Sequence, residues 1–220
     1  TELKSLFIGA TPEKMEANFT HYKRRITKNI VNDWYKEAQD QRKAQQYAEA
    51  RKILDACMFL GAKLNDTYNE ALYHYEVALV EEAQNQYAQA VPWYEKAAEK
   101  FKAAGSEYGE GFARHYMAMA YLEINQQAKA EENLLLAKDL RTKVFSADRE
   151  SKSYQNELNA TLKELAKLNR SKKDFKKALE YYDQALSIAR SVDNADSEGD
   201  LLWSMGFMYS DEMDKPVDGI

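Results

Sequence analysis

The sequence predicts an all-α fold, a stack of antiparallel helix hairpins, from three observations. Only eight Gly and three Pro occur in 220 residues, less than half the roughly 12% of average usage. Sandwiches and barrels of short strands need a turn every ~8–12 residues, so breakers this scarce favour long helices with short connections. A pattern of small residues recurs through most of the chain at spacings that suit helical hairpins. Finally, 45% of residues are hydrophobic and 30% charged, with no apolar run of membrane-spanning length.

The first thirty residues stand outside the pattern. Leu3, Leu6, Phe7 and Ile8 form an apolar cluster suited to covering an end of the stack. Thr11, Pro12 and Glu13 read as an N-cap, a first-turn proline and a first-turn acid. Met15, Phe19, Tyr22, Ile26 and Ile30 then follow at helical spacing into Trp34. Residues 1–30 are therefore expected to be a helical cap, or an extension of the first hairpin.

Four units follow, expected at about 31–70, 71–110, 111–158 and 159–198. Each is anchored on an alanine after a short polar stretch: Ala50, Ala90, Ala130 and Ala178, at spacings of 40, 40 and 48. Twelve residues earlier stand Ala38, Ala78, Ala118 and Ala166, and seven later Cys57, Ala97, Ala137 and Ala185. Eleven alanines in twelve slots is on the order of one in 10⁸ by composition, before allowing for the choice of register. Two antiparallel helices approach to ~8–10 Å only where the crossing side chains are small. Large residues to fill the adjacent grooves are present, with Leu54, Tyr94, Leu134 and Tyr182 four after each anchor. The eight extra residues of the fourth unit lie within Phe145–Leu158, where Ser146, Asp148 or Ser151 can start a new helix.

Gly206, 40 residues after Ala166, takes a packing-alanine slot within Leu201–Tyr209. Residues 199–220 are thus expected to hold the first helix of a truncated fifth unit and a tail fraying from Ser210 through Pro216 to Ile220. Gly61, Gly105 and Gly199 are expected in or beside connections. The chain starts at Thr1 and breaks off inside a unit, so it reads as a piece of a longer protein.

The slot spacing resembles the tetratricopeptide repeat (TPR) family, in a long variant of about 40 residues instead of 34. The excess falls between Cys57 and Ala78 and between Ala97 and Ala118, and the family's final proline is missing. The resemblance implies a right-handed superhelical α-solenoid whose first helices line a concave groove. Their groove positions are Asn32, Tyr35, Gln39 and Arg42, then Leu72, Tyr75, Leu79 and Glu82, then Phe112, His115, Met119 and Leu122, and lastly Ala160, Lys163, Lys167 and Arg170. From these, Tyr35, Gln39, Tyr75, Leu79, Phe112, His115, Met119, Lys163, Lys167 and Arg170 are the candidate partner-binding residues. The competing reading is that the same stripes pack on neighbouring helices.

Such a groove runs from polar, through aromatic, to basic, and suits a protein or peptide with a hydrophobic anchor and an acidic flank. The family's carboxylate clamp for chaperone tails needs Lys, Asn, Asn, Lys and Arg where this chain has Tyr35, Gln39, Glu76, Phe112 and Tyr116, which argues against that partner. A net charge of −5 argues against nucleic acid. The basic cluster of Lys163, Lys167, Arg170, Lys172, Lys173, Lys176 and Lys177 straddles a helix, a turn and the next helix, so only part of it faces one way.

No catalytic constellation is evident, and neither a cofactor nor a metal is expected. Gly105, Gly109 and Gly111 follow a helix, whereas phosphate cradles follow a strand. Glu70 and His74 share a helix face without the repeated Glu-x-x-His of a di-iron bundle. Cys57 occupies a packing slot, as an inert thiol would. The expected role is a non-catalytic protein-interaction scaffold. The alternative is a ligand- or peptide-sensing module of a larger signalling or transcription regulator, similar to Rap-type regulators or sensor kinases. Exposed repeat ends allow a homodimer. One cysteine and no membrane span favour the cytoplasm, although a periplasmic or secreted helical protein would share this composition.

Overall fold

The computed structural model describes residues 2–213 and contains no strand among them. Its helices are α1 (Glu2–Ser5), α2 (Pro12–Tyr22), α3 (Lys28–Lys43), α4 (Tyr47–Lys63), α5 (Thr67–Glu82), α6 (Tyr87–Ala103), α7 (Glu107–Glu123), α8 (Gln127–Ala147), α9 (Lys152–Ser171), α10 (Phe175–Ser191) and α11 (Ala195–Met213). They fall into two compact units, the first ending at Gln126 and the second starting at Gln127. Within each unit successive helices pack on one another, α3 through α7 in the first and α8 through α11 in the second.

From α4 to α8 a helix starts every 20 residues, at positions 47, 67, 87, 107 and 127. The 40-residue period therefore comes from helices of 16 or 17 residues, not from long connections. The eight further residues of the fourth unit lengthen α8 to 21 and α9 to 20 residues. Ser151 caps α9, its hydroxyl accepting from the Tyr154 amide at 3.4 Å. Breaks between hairpins fall near residues 64–66, 104–106, 148–151 and 192–194, four or more residues before the expected boundaries.

All twelve small-residue slots have no exposed surface, from Ala38 through Cys57 to Ala185. The filler residues Leu54, Tyr94, Leu134 and Tyr182 are at most 1% exposed beside them. Small residues thus let the helices approach, and the fillers close the gaps.

One device ends seven of the described helices. Gln45, Asn65, Asn85, Gly105, Asn125, Lys173 and Asp193 adopt a left-handed backbone with φ of 50–71°. The next residue's amide then bonds the carbonyl five positions earlier, as in Gln46 to Gln41, Asp66 to Gly61 and Asp174 to Asn169. This closure satisfies helix carbonyls that would otherwise lack a donor. Six of these seven positions are not glycine, so the chain turns far more often than its glycine count implies. Gly61 and Gly199 lie inside helices rather than in connections. At Gly61 a Cβ would sit 3.0 Å from the Tyr73 ring, which marks close approach of α4 and α5. At Gly199 and Gly206 no atom of the described residues lies within 4 Å of where a Cβ would sit, so among them Gly206 is not at a crowded crossing.

The amino-terminal segment packs onto the first hairpin. Phe7 is fully buried 6.1 Å from the Trp34 ring, and Phe19 meets Phe59 edge-on. The Met15-to-Trp34 stripe is not one helix, however. After α2 a single 3-10 turn spans Lys23–Arg25, Ile26 is extended, and the Thr27 hydroxyl caps α3. Ile26 stays buried at 4% exposure, so its apolar position was kept while the backbone broke for the cap. At the other end α11 continues to Met213, and the expected fraying of residues 214–220 lies outside the described residues.

Candidate functional site

In the first unit the groove positions of α3 make a bonded polar cluster. Tyr35, Gln39 and Arg42 follow at helical spacing and meet Glu76 of α5, itself 1% exposed. Gln39 Nε2 donates to Tyr35 Oη at 3.0 Å and to Glu76 Oε2 at 3.3 Å, while Arg42 Nε donates to the other Glu76 oxygen. Burial, reinforced by the Glu76 carboxylate, pushes the Tyr35 phenol above its usual range. The amide of Gln39 is therefore committed inside the protein. Beside it a polar cleft of about 570 Å³ is lined by Asn29, Asn32, Asp33, Lys36 and Asn69 together with Tyr35 and Gln39.

The aromatic positions behave differently. Tyr75 is 8% exposed, its ring 5.4 Å from Phe112, 5.5 Å from Tyr94 and 5.9 Å from Tyr116. His115 is equally buried, edge-on to Tyr116 at 5.3 Å. Leu79 and Phe112 are half-buried against the same core, as is Met119 at its own position. Thus Tyr75 and His115 serve helix packing, whereas Tyr35, Leu79, Phe112 and Met119 retain exposed edges.

In the second unit Lys163, Lys167 and Arg170 share one face of α9. Lys163 Nζ lies 3.6 Å from Asp200, and Lys167 Nζ lies 2.7 Å from Glu164 on its own helix. The Arg170 guanidinium sits over the Phe207 ring, 5.3 Å from its centroid, and among the described residues no carboxylate pairs with it. A pocket of about 410 Å³ is lined by Lys167, Arg170, Ser171, Tyr182, Trp203, Ser204 and Phe207. Trp203 and Phe207 stack 5.8 Å apart on α11 and are 73% and 47% exposed. These two were not among the sequence candidates. The groove rule would have reached them, since they stand three before and one after Gly206, as Tyr75 and Leu79 stand about Ala78.

The rest of the basic cluster points elsewhere. Lys172 and Lys177 both hold Glu131 of α8, at 2.6 and 3.2 Å, and with Lys172 first they keep its carboxyl below the usual range. Cys57 is buried with Sγ 3.7 Å from the Val31 carbonyl oxygen, and burial pushes its thiol up. Glu70 pairs with Lys100 at 2.6 Å, while His74 stacks on Trp93 at 5.7 Å. Gly105 is in a turn, whereas Gly109 and Gly111 lie inside α7. Among the described residues no group of three or more His, Cys, Asp or Glu is placed to hold a metal. Nor is any described helix long and apolar enough to cross a membrane.

No family model matches the chain, and no curated protein matches it in sequence. Its fold is nevertheless shared with solved structures. The nearly identical TPR-like repeats of Podosopora anserina named for kinesin light chain superpose with a TM-score of 0.65 at 19% identity, covering 82% of this chain and 86% of theirs. BtubC (BKLC) from P. vanneervenii gives 0.64 at 13% identity, over 100% of this chain and 96% of its own. The apo form of RapI gives 0.72 at 16% identity over 90% of this chain, which spans about half, 54%, of RapI. With its buried small-residue slots and repeated hairpins, the chain has the all-α fold of the TPR-like helical repeat proteins.

Proposed function

We propose that this chain is a non-catalytic interaction module that binds a peptide or partner domain along the exposed faces of its first helices. The observation that carries this reading is the α9–α11 face, where Lys167 and Arg170 lie beside the exposed Trp203 and Phe207. Monomeric proteins seldom leave aromatic side chains grouped in water beside an uncompensated guanidinium without a ligand. Apolar anchoring there is worth ~25 cal/mol per Å² buried, and the cations steer an acidic flank to it. In the first unit the polar cleft at Tyr35 and the exposed edges of Leu79, Phe112 and Met119 provide a second, less charged face.

Internal peptides with blocked ends test the reading. An array pairing a Phe or Leu anchor with acidic, neutral or basic flanks should show binding only with acidic flanks. Charge reversal at Lys163 and Lys167 should reverse that preference while leaving the circular dichroism spectrum intact. Binding indifferent to flank charge and to both substitutions would refute it.

A second reading is a peptide-sensing module of a longer signalling protein, acting in the cytoplasm. It draws support from the fold shared with RapI over 90% of this chain. A ligand-dependent change in small-angle scattering would favour the sensor over a static scaffold.

A further inference from the structure

We infer that the pocket between α9, α10 and α11 is a subsite for an aromatic ring bearing an anionic group, an aryl carboxylate or an aryl phosphate. The inference rests on the binding role proposed above for this face and specifies its chemistry. Three features converge. Arg170 has no carboxylate partner among the described residues, and its guanidinium is held in place over Phe207. One face of its fork is thereby used, leaving N–H groups at the edge for an anion. Beneath it, Tyr182 is only 1% exposed yet lines the pocket, and its hydroxyl makes no hydrogen bond to any described residue. Burial raises the Tyr182 phenol, and the nearby charges of Arg170 and Lys167 oppose that rise. The phenol is therefore a protonated donor facing the same cations. The hydroxyl is thus an uncommitted donor lining the pocket, and an anion on Arg170 would give it an acceptor.

The third feature is the aromatic wall. Trp203 and Phe207 lie nearly parallel, 20° apart, one helical turn from each other, and Trp203 is 73% exposed. A planar ring stacks on that surface, whereas an aliphatic group gains contact area alone. Other polar groups at the rim do not compete for the anion, because Ser171 and Ser204 already donate to the carbonyls of Leu168 and Asp200. Glu164 shares Lys167, so Arg170 supplies the uncompensated charge. A cavity of about 410 Å³ has room for one substituted ring.

The test titrates the chain with four probes: 3-phenylpropionate, phenyl phosphate, 3-phenylpropionamide and inorganic phosphate. Backbone amide shifts in nuclear magnetic resonance and Trp203 fluorescence report binding. The anionic aromatics should shift residues around Lys167–Ser171 and Trp203–Phe207, at least ~tenfold more tightly than the amide or phosphate alone. Whichever aryl anion binds better identifies carboxylate or phosphate as the source. Arg170→Gln should abolish the difference between acid and amide, and Trp203→Ser should weaken both aromatics without altering the spectrum elsewhere. Equal binding of acid and amide, equal binding of free phosphate, or no shift at all would overturn the inference. If blocked acidic-flank peptides bind in that case, the interaction role stands and only the subsite chemistry fails. Loss of both would remove the two together.

Discussion

Gly109→Ala is the sharpest test of the packing. Gly109 lies in the first turn of α7, where its amide donates to the capping Ser106 hydroxyl at 3.1 Å. A Cβ there would fall 2.3 Å from Phe101 Cδ1 and 2.6 and 2.7 Å from Cγ and Cε1. Carbon atoms in contact normally sit ~3.5–4.0 Å apart, so the ring would have to retreat by more than 1 Å. Phe101 is 3% exposed and meets Tyr68 edge-on at 5.5 Å, which leaves it little room. Overpacking costs ~1–3 kcal/mol, with this overlap in the upper half, while Gly to Ala in a helix returns up to ~1 kcal/mol. The net loss is ~1–3 kcal/mol, or ~2–12 °C in the melting temperature of a chain this size. Adding Phe101→Leu should recover part of the loss as a coupling energy of ~0.5 kcal/mol or more. A Gly109→Ala variant melting at or above the parent temperature would show that α6 and α7 do not approach as described.

The same substitution should act in reverse at Gly206, where no described residue lies near a Cβ: Gly206→Ala is expected to stabilise by ~0.5–1 kcal/mol in urea melts. Lys173→Gly relieves a left-handed residue at φ 63° and should raise stability by up to ~1 kcal/mol, with Asn85→Gly gaining less because Asn tolerates that conformation. Glu76→Leu removes the acceptor shared by Arg42 and Gln39 and should cost ~1.5–3 kcal/mol in the same melts. His74 makes no hydrogen bond through Nδ1 among the described residues. Burial, with Lys96 and Lys100 adding to it against Glu70, lowers its pKa from 6.5 to about 4. Between those values the unfolded chain binds the proton and the folded chain does not. Its contribution is therefore complete above pH 6.5 and declines as pH falls toward 4, at a slope of at most ~1.4 kcal/mol per unit. His74→Gln should flatten stability across that window.

Much of the fold was legible because one physical demand, close helix approach, selects one kind of residue at fixed spacing. Ala38, Ala78, Ala118 and Ala166 have no exposed surface, so the slots revealed hairpins although no family model matches the chain. Turns were less legible. Gln45 and Lys173 hold left-handed conformations that nothing in their chemistry announces, since closure is enforced by the bonds from Gln46 to Gln41 and from Asp174 to Asn169. The break at Ile26 was hidden for a related reason. Its side chain meets the core equally well from an extended backbone, so a helical stripe persisted across a gap that Thr27 opens for capping.

The binding face was legible only in outline, because groove and core use the same residue types. Tyr75 and Phe112 take equivalent stripes on consecutive first helices, yet their rings lie 5.4 Å apart and only one stays open to water. Charge is subtler still. A run of seven cations between Lys163 and Lys177 looks like one anion site, but Lys172 and Lys177 are held by Glu131, more than 40 residues away in sequence. Local spacing cannot foresee such pairing, since it depends on α8 lying against α9 and α10. What folding leaves behind is Arg170, oriented by Phe207 and without a carboxylate among the described residues. A cation that folding has placed but not compensated is a stronger sign of a ligand than the number of cations around it.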